Sequence, residues 1–322
     1  ATSPSDARCR VSGPVLELEQ LTKFYGPHRG IEDLDLTVAP GRVFGFLGPN
    51  GAGKSTAMRV LLDLHRATRG SARVLGLDSR ADSAEVRRRT GYLPGDIALY
   101  EKLTALEHLV WLGRLRGGVP RARIDLLAER LGLDLSRRVD ELSKGNRQKV
   151  GLVQAFMHEP ELLILDEPTS GLDPLVQHTF QEMVREVAAD GRTVFLSSHI
   201  IDEVDRACDE VAIIREGRLV AVETIESLRS RSLREVRITF DHDVDPGEFD
   251  ALPDVHDVTG GARTIAIRTR GDVDAIVKTA ARHHVVDLVS EQADLEAVFL
   301  AFYGGAVDGE TDPDRDHEED GS

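Results

Sequence analysis

Apolar and polar residues alternate from Val15 to Leu21 and again from Asp33 to Val38, the period of half-buried strands. Pro40 and Gly41 mark the turn that follows. Val43 to Leu47 is a short, continuous apolar run that gives way to glycines. Ser55 to Leu64 has helical spacing, with Met58, Leu61 and Leu62 on one side. Thr104 to Leu131 is helical and strand-poor, broken by glycines and a proline at 117–120, and Lys144 to Met157 reads as a further helix. Leu162 to Leu165 is wholly apolar, as a central parallel strand is. A helix from about Pro174 to Ala189, a strand from Thr193 to Ser197, and strands Glu210 to Arg215 and Arg218 to Glu223 complete this part. Strands alternating with helices predict an α/β fold with a parallel-rich core over 14–234.

The texture changes after Arg234. Glu235 to Phe240 reads as a strand, Pro246 to Leu252 as a helix and Val255 to Thr259 as a strand. Gly260 and Gly261 then predict a hairpin turn into a strand from Thr264 to Arg268. Val273 to His283 reads as a helix, Val285 to Val289 as a strand and Leu295 to Phe302 as a last helix. The order β-α-β-β-α-β predicts a small α+β, ferredoxin-like domain over 235–304. Residues 1–13 are polar and expected to be flexible, and 305–322 are acidic, glycine-containing and expected to be disordered.

Composition adds one correction to this picture. The net charge is −16, but 33 basic and 34 acidic residues stand in 1–234, a net of −1. The surplus acid lies in 235–304 (6 basic, 14 acidic) and in the tail (1 basic, 8 acidic). A near-neutral first domain without a basic face argues against nucleic acid as a partner. Two cysteines, Cys9 and Cys208, make no disulfide framework, and Cys208 is expected to pack on a helix in a reducing compartment. No apolar run approaches the ~18 residues that span a bilayer, so the chain itself is expected to be soluble. The histidines show no metal-ligand spacing; Trp111 is read as core, and Arg87, Arg88 and Arg89 as a solvated helix face or a lipid or partner contact.

The chemistry concentrates in two places. Gly48, Pro49, Asn50, Gly51, Ala52, Gly53, Lys54, Ser55 and Thr56 fit the phosphate-binding loop pattern, after a predicted strand and before a predicted helix. Glycines let backbone N–H groups wrap a polyphosphate at a helix N-terminus; Lys54 supplies charge for the β- and γ-phosphates, and the Ser55 hydroxyl is available to Mg²⁺. Leu162 to Leu165 ends in Asp166 and Glu167. A carboxylate at the C-terminal end of a parallel strand lies where α/β sheets bind ligands. Asp166 there can hold Mg²⁺ through water, and Glu167 can polarise an attacking water.

With these motifs in order, the chain from about Val15 to Leu228 resembles the ATP-binding subunit of an ABC transporter. The resemblance implies a P-loop NTPase core with a helical subdomain at about 96–158. It implies that Tyr25, in Lys23-Phe24-Tyr25-Gly26, stacks on adenine; the residues alone equally allow a strand-end tyrosine. Ser143, Lys144, Gly145 and Asn146, after Leu142, look like the family signature usually written LSGGQ, which faces the γ-phosphate of the opposite subunit. Ser170 to Asp173 matches the D-loop at the dimer interface, and His199 the switch histidine.

Two departures stand out. The signature has Lys144 for Gly and Asn146 for Gln. Gly95 occupies the place of a glutamine that contacts Mg²⁺ and senses the membrane partner, with Asp96 beside it as a substitute ligand or a turn cap. The resemblance further implies that two copies of the chain sandwich ATP and drive a separate transmembrane permease. The permease would dock at the cytoplasmic face of the membrane, in a groove for which Leu99 and Tyr100 are candidates; the residues equally allow both to pack within the helical subdomain. The stretch 235–303 resembles the C-terminal domain of drug- and antibiotic-export ATPases of the daunorubicin-resistance type, with a dimerising, regulatory or merely stabilising role. The alternative is a soluble ABC ATPase that regulates a partner or confers immunity without transport.

Overall fold

The computed structural model describes residues 13–231, 233–270, 272–291 and 299. They form two compact units that divide after Ile225.

The first unit carries two sheets. Strands β1 (Leu16–Tyr25), β2 (His28–Val38), β4 (Arg69–Val74) and β5 (Leu77–Asp78) form an antiparallel sheet in the order β2-β1-β4-β5. Strands β3 (Val43–Leu47), β6 (Thr90–Leu93), β7 (Leu162–Asp166), β8 (Thr193–Ser198), β9 (Glu210–Arg215) and β10 (Arg218–Thr224) form the second, in the order β10-β9-β3-β8-β7-β6. Every pair in it is parallel except the β9–β10 hairpin. The parallel-rich core therefore holds, but the antiparallel sheet was not expected as such. Arg69–Val74 buries only Ala72 and Val74, too few apolar positions to announce a strand.

Helices follow the strands: α1 (Lys54–Leu61), α2 (Ser83–Arg89), α3 (Ala105–Leu115), α4 (Arg121–Arg130), α5 (Lys144–Phe156), α6 (Pro174–Ala189) and α7 (Ile201–Ala207), while α8 (Ile225–Arg231) begins at the division between the units. The predicted helical stretch from Thr104 divides where its glycines stand. Thr104 opens α3 with a capping box to Glu107. Trp111 is not core: it is 40% exposed, edge-on to the exposed Tyr100 ring at 4.8 Å. The arginine run on α2 is not a uniformly solvated face either. Arg88 is exposed and pairs with Glu85, whereas Arg89 grips Glu161 with two 2.6 Å bonds and Arg87 donates to the Leu62 carbonyl. Cys208 is buried as expected, at the end of α7.

The second unit runs β11 (Arg234–Phe240), α9 (Gly247–Asp250), β12 (Val255–Gly261), β13 (Thr264–Thr269), α10 (Asp274–Ala280) and β14 (Val285–Glu291). Its sheet is antiparallel in the order β12-β13-β11-β14, the ferredoxin-like arrangement. Val236, Ile238, Phe240, Phe249, Ile265 and Ile267 fill its core. The hairpin turn falls at Ala262 and Arg263, not at the glycines. Gly260 and Gly261 remain in β12, paired with Ile265 and Thr264. The readings for 1–12, Leu295 to Phe302 and 305–322 lie outside the described residues, apart from Phe299, which is buried.

Candidate nucleotide site

The loop after β3 is shaped by close approaches. A Cβ at Gly48 would stand 2.3 Å from the Ile214 carbonyl oxygen. Gly53, at φ +103°, adopts a backbone that L side chains rarely take, and a Cβ there would stand 2.4 Å from the Gly30 carbonyl oxygen. Gly53 leads directly into α1, which has no side-chain cap and no acidic residue in its first turn. Its N-terminal N–H groups are thus left for an anion. Pro49, Asn50 and Gly51 are exposed, Ala52 is buried, and Ser55 and Thr56 are half-buried. Lys54 is only 6% exposed. Its Nζ donates to the Gly48 carbonyl at 2.6 Å and the Pro49 carbonyl at 3.2 Å, and lies 3.2 Å from Glu167 Oε1.

The acidic side of the site is held by β7 and β8, neighbours in the parallel sheet. Asp166 is 1% exposed, and its Oδ1 accepts from Ser197 Oγ at 2.6 Å. Its Oδ2 is buried without a hydrogen-bond partner. Glu167 turns out of the strand at φ +50°; its N–H donates to the same Ser197 hydroxyl at 3.0 Å. Its Oε2 meets His199 Nδ1 at 2.8 Å. Lys54, Glu167 and His199 thus converge through one carboxylate. Burial, then the charge of Asp166, pushes the nearby Tyr92 phenol up.

Ser197 is a site residue that motif reading missed. The signal was present: a strand of the sequence Thr-Val-Phe-Leu-Ser-Ser that is buried throughout and ends in two hydroxyls has to satisfy them. Ser198 does so by donating to Glu203 Oε2 at 2.6 Å, and Thr169 donates to the other oxygen of Glu203 at 2.6 Å.

Other predicted residues take separate places. Tyr25 ends β1, 40% exposed, and its hydroxyl lies 2.5 Å from His65 Nδ1. A Cβ at Gly30 would be 2.9 Å from the Tyr25 ring and 3.0 Å from the Thr56 methyl, so the tyrosine stands beside the first turn of α1. Ser143 caps α5, accepting from the Asn146 N–H at 3.3 Å. Ser143 and Lys144 are exposed, and Ser143 to Asn146 make no hydrogen bond to the phosphate loop among the described residues. A Cβ at Gly145 would reach the Gly171 carbonyl oxygen at 2.6 Å, so the start of α5 packs on the Ser170–Asp173 turn. Asp173 caps α6 through the Val176 N–H at 3.1 Å. Asp96 is exposed and makes no hydrogen bond or ion pair among the described residues. Gly95 points at the acid instead: a Cβ there would be 3.0 Å from Asp166 Oδ2.

The residues fit a magnesium polyphosphate. One buried carboxylate with a free oxygen and a serine hydroxyl at a helix start make an incomplete oxygen shell, as Mg²⁺ sites built partly from substrate phosphates are, and the lysine ammonium is left for the phosphates themselves. No group of three or more His, Cys, Asp or Glu able to hold a metal occurs among the described residues.

Comparison with known proteins agrees with this geometry. A family model described as ABC transporter matches residues 31–170. The ABC transporter ATP-binding protein NatA of Bacillus subtilis is 39% identical over 206 residues, covering 62% of this chain and 84% of NatA. The bacitracin transport ATP-binding protein BcrA of Enterococcus faecalis is 36% identical, over 68% of this chain and 72% of BcrA. A solved ATP-binding subunit of an ABC transporter superposes with a TM-score of 0.62 at 35% identity, over 67% of this chain and 92% of that one. The glycine loop before α1, the acid pair at the strand end and these relatives together mean that the chain belongs to the ATP-binding proteins of the ABC transporter family.

Proposed function

We propose that the chain hydrolyses ATP at the interface of two of its own copies and so drives a separate transmembrane permease that exports a drug or antibiotic. The observation that carries the catalytic part is the junction of Lys54, Glu167 and His199, with Glu167 Oε1 3.2 Å from the lysine and Oε2 2.8 Å from the histidine. A bound polyphosphate would take over the Lys54 ammonium from Glu167, freeing one carboxylate oxygen to accept a proton from water. That water attacks the γ-phosphorus, the bond to the bridging oxygen breaks, and ADP and phosphate leave. His199 orients the carboxylate and the γ-phosphate. Ser55, and Asp166 through water, would hold Mg²⁺, which offsets the charge on the β- and γ-phosphates.

The exposed signature supports the sandwich. Ser143 and the amides of Lys144 and Gly145 open α5, with Ser143 and Lys144 exposed, where the nucleotide of a second copy can meet a helix N-terminus. Tyr25, beside α1, is suited to stack on adenine, and Asp173 to line the interface. A permease partner is supported by the transport names of NatA and BcrA and by the exposed Tyr100 and Trp111 pair. No helix among the described residues is long and apolar enough to cross a membrane, so a membrane passage would come from that partner.

The test is Glu167→Gln in the purified chain. ATP binding should persist, hydrolysis should fall by about 10²- to 10⁴-fold, and the dimer should become stable enough to isolate with ATP. Turnover at the wild-type rate would remove Glu167 as the base. Export is tested by co-purification with a six-helix permease and ATP-dependent efflux in cells that carry both.

A further inference from the structure

Glu167 has an unfavourable backbone for its place. It lies at φ +50°, where side chains with a Cβ are uncommon, and it precedes Pro168, which pushes the preceding residue toward extended conformations. Such a conformation persists only where its surroundings over-determine it. On the N-terminal side Ser197 Oγ holds the Glu167 N–H at 3.0 Å. On the C-terminal side one side chain holds two carbonyls: Gln148 Nε2 donates to the Glu167 oxygen at 3.1 Å and to the Pro168 oxygen at 2.9 Å.

Gln148 is 5% exposed and sits on α5 among Val150, Gly151 and Leu152 on its buried side. A buried amide in such a helix is costly unless both its N–H groups are used. Here they are used on the turn that aims the acid. The same helix starts at the signature, five residues earlier, about 7 Å along the axis.

We infer that Gln148 is a positioning residue for hydrolysis: its amide fixes the left-handed turn at Glu167 and so keeps that carboxylate between Lys54 and His199. It touches no substrate and acts only through Glu167. It also ties the acid rigidly to the helix that begins with Ser143, so a displacement of that helix displaces the acid. This inference rests on Glu167 acting in ATP hydrolysis.

Gln148→Met tests it, because methionine keeps the length and volume and removes both donors. The kcat for ATP should fall on the order of tenfold to a hundredfold, the loss expected from misplacing a reacting group. The KM for ATP should stay within about twofold, since the phosphate loop is untouched. In a Glu167→Gln background, measured by single turnover, the same substitution should cost nothing further, because the group it positions is gone. A merely structural role would lower kcat by the same factor in both backgrounds. If the methionine variant does not fold, Gln148→Asn is read by the same cycle. A wild-type kcat in the methionine variant, or equal losses in the two backgrounds, overturns the positioning role while leaving the hydrolytic reading standing. A wild-type chain with no ATP turnover overturns that reading and the inference with it.

Discussion

The parallel sheet of the first unit and the sheet of the small domain bury different things. In the parallel sheet β3, β7 and β8 are buried at every position, and their ends carry Asp166, Ser197 and Ser198 into the interior at 1%, 0% and 0% exposure. In the small domain β13 alternates buried with more exposed residues, and among the described residues the buried polar groups are the hydroxyls of Thr269 and Thr279. A buried hydroxyl is satisfied by any nearby carbonyl, as Thr269 is by Asp254 at 3.0 Å. A buried carboxylate with an unpartnered oxygen is not, and it is kept where a ligand completes it. The small sheet satisfies its buried hydroxyl at Thr269, whereas the parallel sheet leaves Asp166 Oδ2 unpartnered at the end of β7.

Matched substitutions in the two cores sharpen this contrast. Phe195 packs in β8 against Phe44 and Phe46, with ring centroids 5.9 and 5.5 Å apart. Phe249 packs against Phe240 at 6.4 Å. Truncating either to alanine should cost about 3–5 kcal/mol in its own unit. Phe195→Ala should also lower ATP turnover, because β8 positions Ser197 and leads to His199. Phe249→Ala should leave turnover unchanged. Thermal unfolding and ATPase assays on both variants decide it; loss of activity in Phe249→Ala would tie the small domain to the site.

A smaller effect separates the histidines of the two units. His158 lies 2.9 Å from Arg116, and burial, then the arginine charge, lowers its pKa to about 4. As pH falls through about 6.5 the unfolded chain takes up a proton that the folded chain refuses until about 4. Stability of the first unit is therefore whole above that window and is lost within it, on the order of 1 kcal/mol for a partly exposed ring. His242 and His283 in the small domain sit beside Asp241 and Glu248 instead, at 2.5 and 3.1 Å. Urea unfolding of His158→Gln between pH 7 and 4 should show a shallower decline than the wild type; an identical decline would exclude His158 as its source.

How much of this was legible follows the same physics. Continuous apolar runs and glycine clusters announced β3, β7, β8 and the phosphate loop, because burial on both faces and close backbone approach leave few residue choices. The acid pair was legible for the same reason. Strand β4, with two buried apolar positions, was not, and Trp111 looked like core because an indole on a predicted helix usually is. Ser197 and Gln148 escaped because their roles are hydrogen bonds across 31 and 19 residues, which no local spacing encodes. The small domain's topology was readable from its alternation, but its turn was misplaced by two residues because glycines can remain inside a strand.

The smallest predicted effect concerns Gly95 and Asp96, where the sequence departs from the family pattern it resembles. Gly95 leaves Asp166 Oδ2 facing backbone: a Cβ there would lie 3.0 Å from that oxygen. Asp96, one residue on, is exposed. A carboxylate that served the metal in place of the glutamine would have to turn inward toward Asp166, and no hydrogen bond or ion pair among the described residues holds Asp96 in that direction. We propose on this basis that solvent, not Asp96, completes the shell at Asp166. Asp96→Ala should then change Mg²⁺-dependent ATP turnover by less than about twofold, as a surface substitution does. A tenfold rise in the Mg²⁺ concentration needed for half-maximal turnover would instead make Asp96 the ligand, and would show that the parallel sheet recruits charge from a loop that its own strands do not position.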